Sequence, residues 1–281
     1  MTDECIHGLD LARCDVCSPK VSPKPDASAP LKSGSTRPPR SPRSSARSAP
    51  LRSVPLAKKP SINVGEQRIY HVTHSSNLAA ILASGALHAD ASDAWDSRPA
   101  VDISSEHNRA ARRATVIDGS SGVRVADYVP FFLSPDASLW STIRAGDDDH
   151  RLSPDIRGIA ASEFVVLVTT VTSVAGARST DAGPGSVPIV VADGDAADSG
   201  TRCTTARDAY ERMLRQLITN EDVDAVRHAE LLVKDTVPFS AISLIGVINE
   251  RTRDTVKTIL ASSEFSPRVA VHPPWFAAPA E

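Results

Sequence analysis

The sequence predicts an α+β domain built on a mixed β-sheet, and three features predict it. Glu163 to Ser173, EFVVLVTTVTS, is a continuous apolar run with the length and β-branched composition of a buried strand. Residues 227–249, RHAELLVKDTVPFSAISLIGVIN, carry two apolar runs separated by Pro238. They read as a short strand, a turn or brief helical segment, and a second strand or buried connection. Helix-patterned stretches such as NLAAILASG and ARDAYERMLRQLI are few, so the body is a sheet with a small number of helices.

Composition sets the bounds. A chain of 281 residues and 29.8 kDa holds one sizeable core and a smaller appendage, and 21 prolines against 6 phenylalanines indicate that part of it is not packed. Four unevenly distributed cysteines exclude a secreted disulfide scaffold. With no apolar run long enough to span a bilayer and no amino-terminal signal pattern, the expectation is a cytoplasmic protein without a membrane segment. The net charge of -3 conceals an asymmetry: residues 20–59 carry ten Lys or Arg against Asp26 alone. A basic tail precedes an acidic body.

Three regions follow in order. Residues 1–18 hold Cys5, His7, Cys14 and Cys17 as C-x-H-x6-C-x2-C, a donor set and spacing suited to tetrahedral zinc. So short a segment buries no useful core, and metal binding would have to supply its folding energy; the alternative is unstructured thiols near a terminus. A complete four-ligand set is structural rather than catalytic. Residues 19–62 are Pro, Ser, Ala, Lys and Arg with almost no large apolar side chain, the composition of a disordered basic linker that serves either as a spacer or near phosphates. Residues 63–281 form the folded body.

Within that body, Arg68 to His74 reads as the first strand. Ser75 or Ser76 caps the helix NLAAILASG, and Gly85 stops it. His71 and His74 lie at the strand end and turn, either as ligand contacts or as ordinary core or surface histidines. Asp102 to Val116 reads as a helix with Arg109, Arg112 and Arg113, of which the first pairs with either of the others on one face; the cluster is a solvated face or a diphosphate clamp. Residues 125–143 carry Tyr128, Phe131, Phe132 and Trp140, with Pro130 and Pro135 limiting the strand. SVPIVVADG is a further strand, and Val256 to Leu260 and Arg268 to Val271 read as edge strands before PPWF. Cys203 stands alone as a free thiol. Glu230, at the mouth of ELLV, is either a strand-entry charge or a fixed carboxylate able to polarise a sugar hydroxyl or accept a proton. There is no internal repeat, no P-loop and no G-x-G-x-x-G.

The ordered set IYHVTHSSNLAAILASGAL, ADYVPFFLSP, ADGDA, RHAELLVKDTVPFSAISLIGVIN and VAVHPPWF resembles the DarT family of DNA ADP-ribosyltransferase toxins across residues 67–276. The resemblance implies a mono-ADP-ribosyltransferase-like split mixed sheet around an NAD+ cleft. It also implies transfer of ADP-ribose from NAD+ to a base in single-stranded DNA, typically thymine, and a macrodomain antitoxin as partner. Carried over, His71, Thr73 and Asn77 match NAD+-contacting positions, and Arg112 matches the cleft arginine, with Arg109 and Arg113 one slip away. Glu230 matches the family's acid, which would stabilise charge at the ribose and take the proton of the attacking ring nitrogen. Tyr128 or Phe132 would stack or pack against the nucleotide. His228 and Leu231 depart from the usual glutamine and phenylalanine around that acid.

The chain is expected to act as a monomer. Loops 91–107 and 144–158 are expected to meet DNA. Two other readings remain open, a protein-directed mono-ADP-ribosyltransferase and a non-catalytic nucleic-acid-binding protein.

Overall fold

The computed structural model describes residues 62–120, 122–176, 188–219 and 223–279. The Cys5, His7, Cys14 and Cys17 set and nearly all of the 19–62 linker lie outside them.

Ten strands and seven α-helices are placed among the described residues. The main sheet has eight strands. In spatial order they are β10 (Arg268–Val271), β9 (Leu244–Val247), β4 (Phe164–Thr170), β1 (Arg68–His74), β3 (Tyr128–Phe132), β7 (Glu230–Lys234), β5 (Ile189–Ala192) and β6 (Cys203–Thr204). It is mixed because β9 and β10 pair in parallel while the other neighbours are antiparallel. A second, two-stranded sheet joins β2 (Ala86–His88) to β8 (Thr236–Pro238).

One contact in the main sheet differs from the rest. β1 pairs with β4 along its whole length, from Arg68↔Thr170 to His74↔Phe164, but it meets β3 at the single pair Tyr70↔Phe132. Beyond that pair the two strands part, and the His71 ring bridges the gap, its Nδ1 2.9 Å from the Pro130 carbonyl. Pro130 has no N–H to offer a ladder there.

One face of the sheet is covered by three helices: α1 (Leu78–Ser84), α5 (Arg207–Thr219) and α7 (Glu250–Leu260). Leu78 and Leu82, Met213, Leu214 and Leu217, and Val256 and Leu260 project from them at helical spacing. They pack onto Ile69, Phe131, Leu167, Leu231, Val233 and Ile245 in one core cluster. On the other side Trp140, from α3 (Ser138–Ala145), packs edge-on to Phe164 and Phe276. It also donates from Nε1 to the Trp275 carbonyl at 2.6 Å, which ties the carboxy-terminal PPWF segment to α3.

Several expectations change. Ser75 and Ser76 lie inside a 3-10 turn capped by His74, so neither caps α1; Asn77 precedes that helix and turns its side chain elsewhere. Gly85 ends it as expected, at φ 72. The strand beginning at Phe164 stops at Thr170, and Val171–Gly176 form the short helix α4. Val256 to Leu260 are helical: Asn249 caps α7 by accepting from Thr252 N at 2.8 Å, and Val256 and Leu260 lie four apart on its buried face. Arg268–Val271 is the edge strand expected, but the body carries more helix than its apolar runs indicated.

Candidate active site

A cavity of about 360 Å3 opens where β1 and β3 part. Three consecutive residues of β1, His71, Val72 and Thr73, line it. Consecutive strand residues face opposite sides of a sheet, so the cavity meets β1 along its edge. Tyr128, Pro130 and Phe132 line it from β3, and Glu230 from the first residue of β7. Arg109 and Arg112 reach it from α2 (Glu106–Ala114) and Arg151 from a loop.

Glu230 is 6% exposed and paired across the sheet with Phe132 on one side and Ala192 on the other. Arg112 Nη1 lies 3.2 Å from its Oε2 and 3.4 Å from its Oε1. Burial pushes the Glu230 carboxyl above the usual carboxylate range; Arg112 opposes that shift, Asp195 adds to it, and the Ala196 backbone N–H opposes it by donating to the carboxylate. Arg112 Nη2 is buried without a hydrogen-bond partner, a donor available to a ligand oxygen.

α2 presents these arginines because Ser105 caps it, accepting from Asn108 N at 3.1 Å, while Arg112 and Arg113 fall in its last turn. The structure separates the three candidates. Arg109 pairs with Asp90 and Asp102, Arg113 with Asp90 at 2.8 Å and Glu106 at 3.3 Å, and Arg112 meets Glu230.

The other expected residues fall into two groups. His71 faces the cavity, and burial lowers its pKa, so its ring is neutral; Nδ1–H donates to Pro130 and leaves Nε2 as an acceptor. Tyr128 is fully buried, with Lys234 Nζ 5.4 Å from its ring centroid, and serves as wall rather than as an exposed stacking face; Phe132 also lines the wall. Thr73 and Asn77 also line the cavity, and the Asn77 amide is engaged within the chain. It donates to the Val101 carbonyl at 2.8 Å and to Thr73 Oγ1 at 3.2 Å, and it accepts from Val101 N at 3.0 Å. Thr73 and Asn77 together hold one end of the 89–105 loop against the cavity.

Sequence reasoning gave no role to Asp195 or Arg151. Arg151 Nη1 meets Asp195 Oδ2 at 3.2 Å and Nη2 meets Asp149 Oδ2 at 2.6 Å. The two loops expected to meet DNA are joined through the Ser104↔Leu152 bridge and a bond from Ser105 N to the Arg151 carbonyl at 2.9 Å, so they form one rim. Cys203 is partly buried and pushed up to about 11, chiefly by burial and then by Glu230, which leaves it a thiol. Among the described residues no helix is long and apolar enough to cross a membrane, and no cluster of His, Cys, Asp and Glu is arranged to hold a metal.

Comparison with known proteins places this geometry. Residues 70–277 match the family model described as "ssDNA thymidine ADP-ribosyltransferase, DarT". A Thermus aquaticus protein described as a DNA ADP-ribosyl transferase is 28% identical over 215 residues, covering 74% of this chain and 88% of its own length. Thermus sp. 2.9 DarT in complex with ADP-ribosylated ssDNA matches with a TM-score of 0.61 at 23% identity, covering 75% of this chain and 96% of that one. The same protein in complex with NAD+ matches at 0.57 and 22%, covering 75% and 98%.

Proposed function

The chain belongs to the DarT family and is an NAD+-dependent ADP-ribosyltransferase of single-stranded DNA; from that membership we propose that thymine is the accepting base, with Glu230 and Arg112 at the reacting centre. The observation that carries the residue assignment is the buried Glu230–Arg112 pair on the cavity wall, with Arg112 Nη2 left unpartnered. An open cleft with one unspent cationic donor and a neutral histidine acceptor fits a dinucleotide.

In this reading the bond between nicotinamide and ribose breaks with oxocarbenium character, and nicotinamide leaves neutral with the bonding electron pair. Glu230 stabilises the developing positive charge at the ribose. It also takes the proton from the ring N–H of thymine as that nitrogen forms the new bond to the anomeric carbon, and later releases the proton to water. A base from a single strand needs no extraction from a duplex. Arg112 Nη2 orients a substrate oxygen, His71 Nε2 accepts from a hydroxyl, and Thr73 and Asn77 meet the dinucleotide from the cavity wall while Asn77 also holds the 89–105 loop. The joined rim of loops 91–107 and 144–158 receives the strand.

The biological reading is a toxin paired with a macrodomain antitoxin, working as a monomer in the cytoplasm. Cys5, His7, Cys14 and Cys17 hold one structural zinc ion, on donor chemistry alone. The class of substrate is tested by incubating the protein with labelled NAD+, single-stranded DNA and a protein extract, then digesting separately with nuclease and protease. Label released by nuclease and resistant to protease is expected; label released by protease favours the protein-directed alternative.

A further inference from the structure

Asp195 is a second carboxylate at the same arginine. Its Oδ1 lies 3.8 Å from Arg112 Nη1, the atom that also meets Glu230. The turn after β5 fixes it there: Ala197 N donates to Asp195 Oδ1 at 2.9 Å, and Asp198 N to the Asp195 carbonyl at 3.0 Å. The adjoining Ala196 N–H bonds the Glu230 carboxylate, so one turn delivers both a donor to Glu230 and a competing anion to Glu230's cation. Behind Asp195 stands Arg151, anchored by its bidentate contact with Asp149, with Nε 3.0 Å from Oδ1 and Nη2 2.6 Å from Oδ2. The result is a line of alternating charge running Asp149, Arg151, Asp195, Arg112, Glu230.

A buried glutamate with a private arginine would be a poor base, because a tight ion pair holds the carboxylate ionised and occupied. We propose that Asp195, held by Arg151, is a positioning residue that divides the Arg112 guanidinium between two carboxylates, leaving Glu230 able to accept a proton and Arg112 Nη2 turned to the substrate. This rests on the reading that Glu230 takes the proton of the attacked base. The charged and titratable groups around Glu230 are Arg112 from α2, Asp195 from the turn after β5, and Cys203 from β6. Tyr128 from β3 and His71 from β1 line the same cavity. Of these, Asp195 is the anion in contact with Glu230's own cation.

The test follows the Glu230 carboxyl itself by 13C NMR titration of full-length protein labelled at glutamate, with its signal identified by its loss in Glu230→Gln. In Asp195→Asn the competing anion is gone and Arg112 turns wholly to Glu230, so the midpoint falls by about one pH unit. In Arg151→Gln, Asp195 and Asp149 lose their counterion and their negative charge acts on Glu230 uncompensated, so the midpoint rises. Opposite directions are the signature, since a general loosening of the site would move both the same way. The acidic limb of the kcat/KM profile for transfer follows the same two directions.

An unchanged or raised midpoint in Asp195→Asn overturns the proposal, as do shifts of both variants in one direction. If Asp195→Asn does not fold, the direction in Arg151→Gln decides. Midpoints that move as stated in a protein that leaves DNA unmodified would retain the shared arginine and reject the proposed substrate.

Discussion

Removing Arg112 exposes what it does for Glu230 in the folded state. In Arg112→Ala the buried carboxylate, 9% exposed at the side chain, loses the cation 3.2 Å away. The chain must then either bury an unpaired charge, a change that typically costs about 3–5 kcal/mol, or protonate Glu230. Protonation sets the ceiling: for a carboxyl of ordinary pKa near ~4.3 it costs about 3.7 kcal/mol at pH 7 and about 1 kcal/mol at pH 5.

The sign follows from the direction of the shift. Burial already holds the Glu230 carboxyl above its unfolded value. Its contribution to stability is therefore complete below the unfolded value and is lost as pH rises through the folded one. Without Arg112 the folded value climbs further and the loss extends over more of the neutral range.

Urea unfolding at pH 5 and pH 7 measures this, and the destabilisation of the variant relative to the parent should grow between the two, by less than the roughly 3 kcal/mol rise in the protonation cost, because the parent's own carboxyl is already raised. In the Glu230→Gln background, Arg112→Ala should show no such growth, leaving a pH-independent loss from the missing arginine stem. Equal destabilisation of Arg112→Ala at both pH values would refute the view that Arg112 is the counterion of Glu230.

Gly246→Ala should destabilise the body by about 1–3 kcal/mol, read as a fall in Tm, because the new methyl would stand 2.6 Å from Trp275 Cζ3, in a ring also packed edge-on to Tyr70. Asn77→Ala removes three hydrogen bonds that tie Val101 and Thr73 together. Steady-state kinetics should show a raised KM for NAD+ with kcat less affected, and unfolding a loss of about 1–3 kcal/mol. Metal analysis of the full chain should find one zinc ion per molecule, and Cys14→Ser with Cys17→Ser should abolish it.

Where a single element carries its own signal, the sequence reveals it. EFVVLVTT is apolar on both faces because both faces of β4 are covered: Val165 and Leu167 join the core under the helices, and Phe164 packs against Trp140 on the other side. Glu230 is visible as a charge at the mouth of an apolar run, but the 227–249 stretch breaks first at Asp235, φ 65, and Pro238 ends a third strand, β8, that the two apolar runs do not announce. VKTIL reads as a strand because five residues show no helical period by themselves, while the signal for helix, the Asn249 cap, lies seven residues upstream.

The choice among Arg109, Arg112 and Arg113 was not legible either, since it depends on Asp90, Asp102 and Glu230, which reach α2 from other elements. Asp195 and Arg151 were missed for the same reason. They are 44 residues apart and meet only in the folded chain. The signal that marked the spot was ADGDA, part of the family resemblance, which gave a position without a role.

In the proposed mechanism Glu230 drives ADP-ribose transfer to a thymine base. Mass spectrometry of short single-stranded oligonucleotides, each varied in one base type, tests it most directly after incubation with NAD+ and either the parent or Glu230→Ala. A mass increment of one ADP-ribose is expected on thymine-containing strands with the parent, and none with a folded Glu230→Ala. An increment with Glu230→Ala at the parent's rate, or none on any strand while NAD+ is consumed, would contradict it.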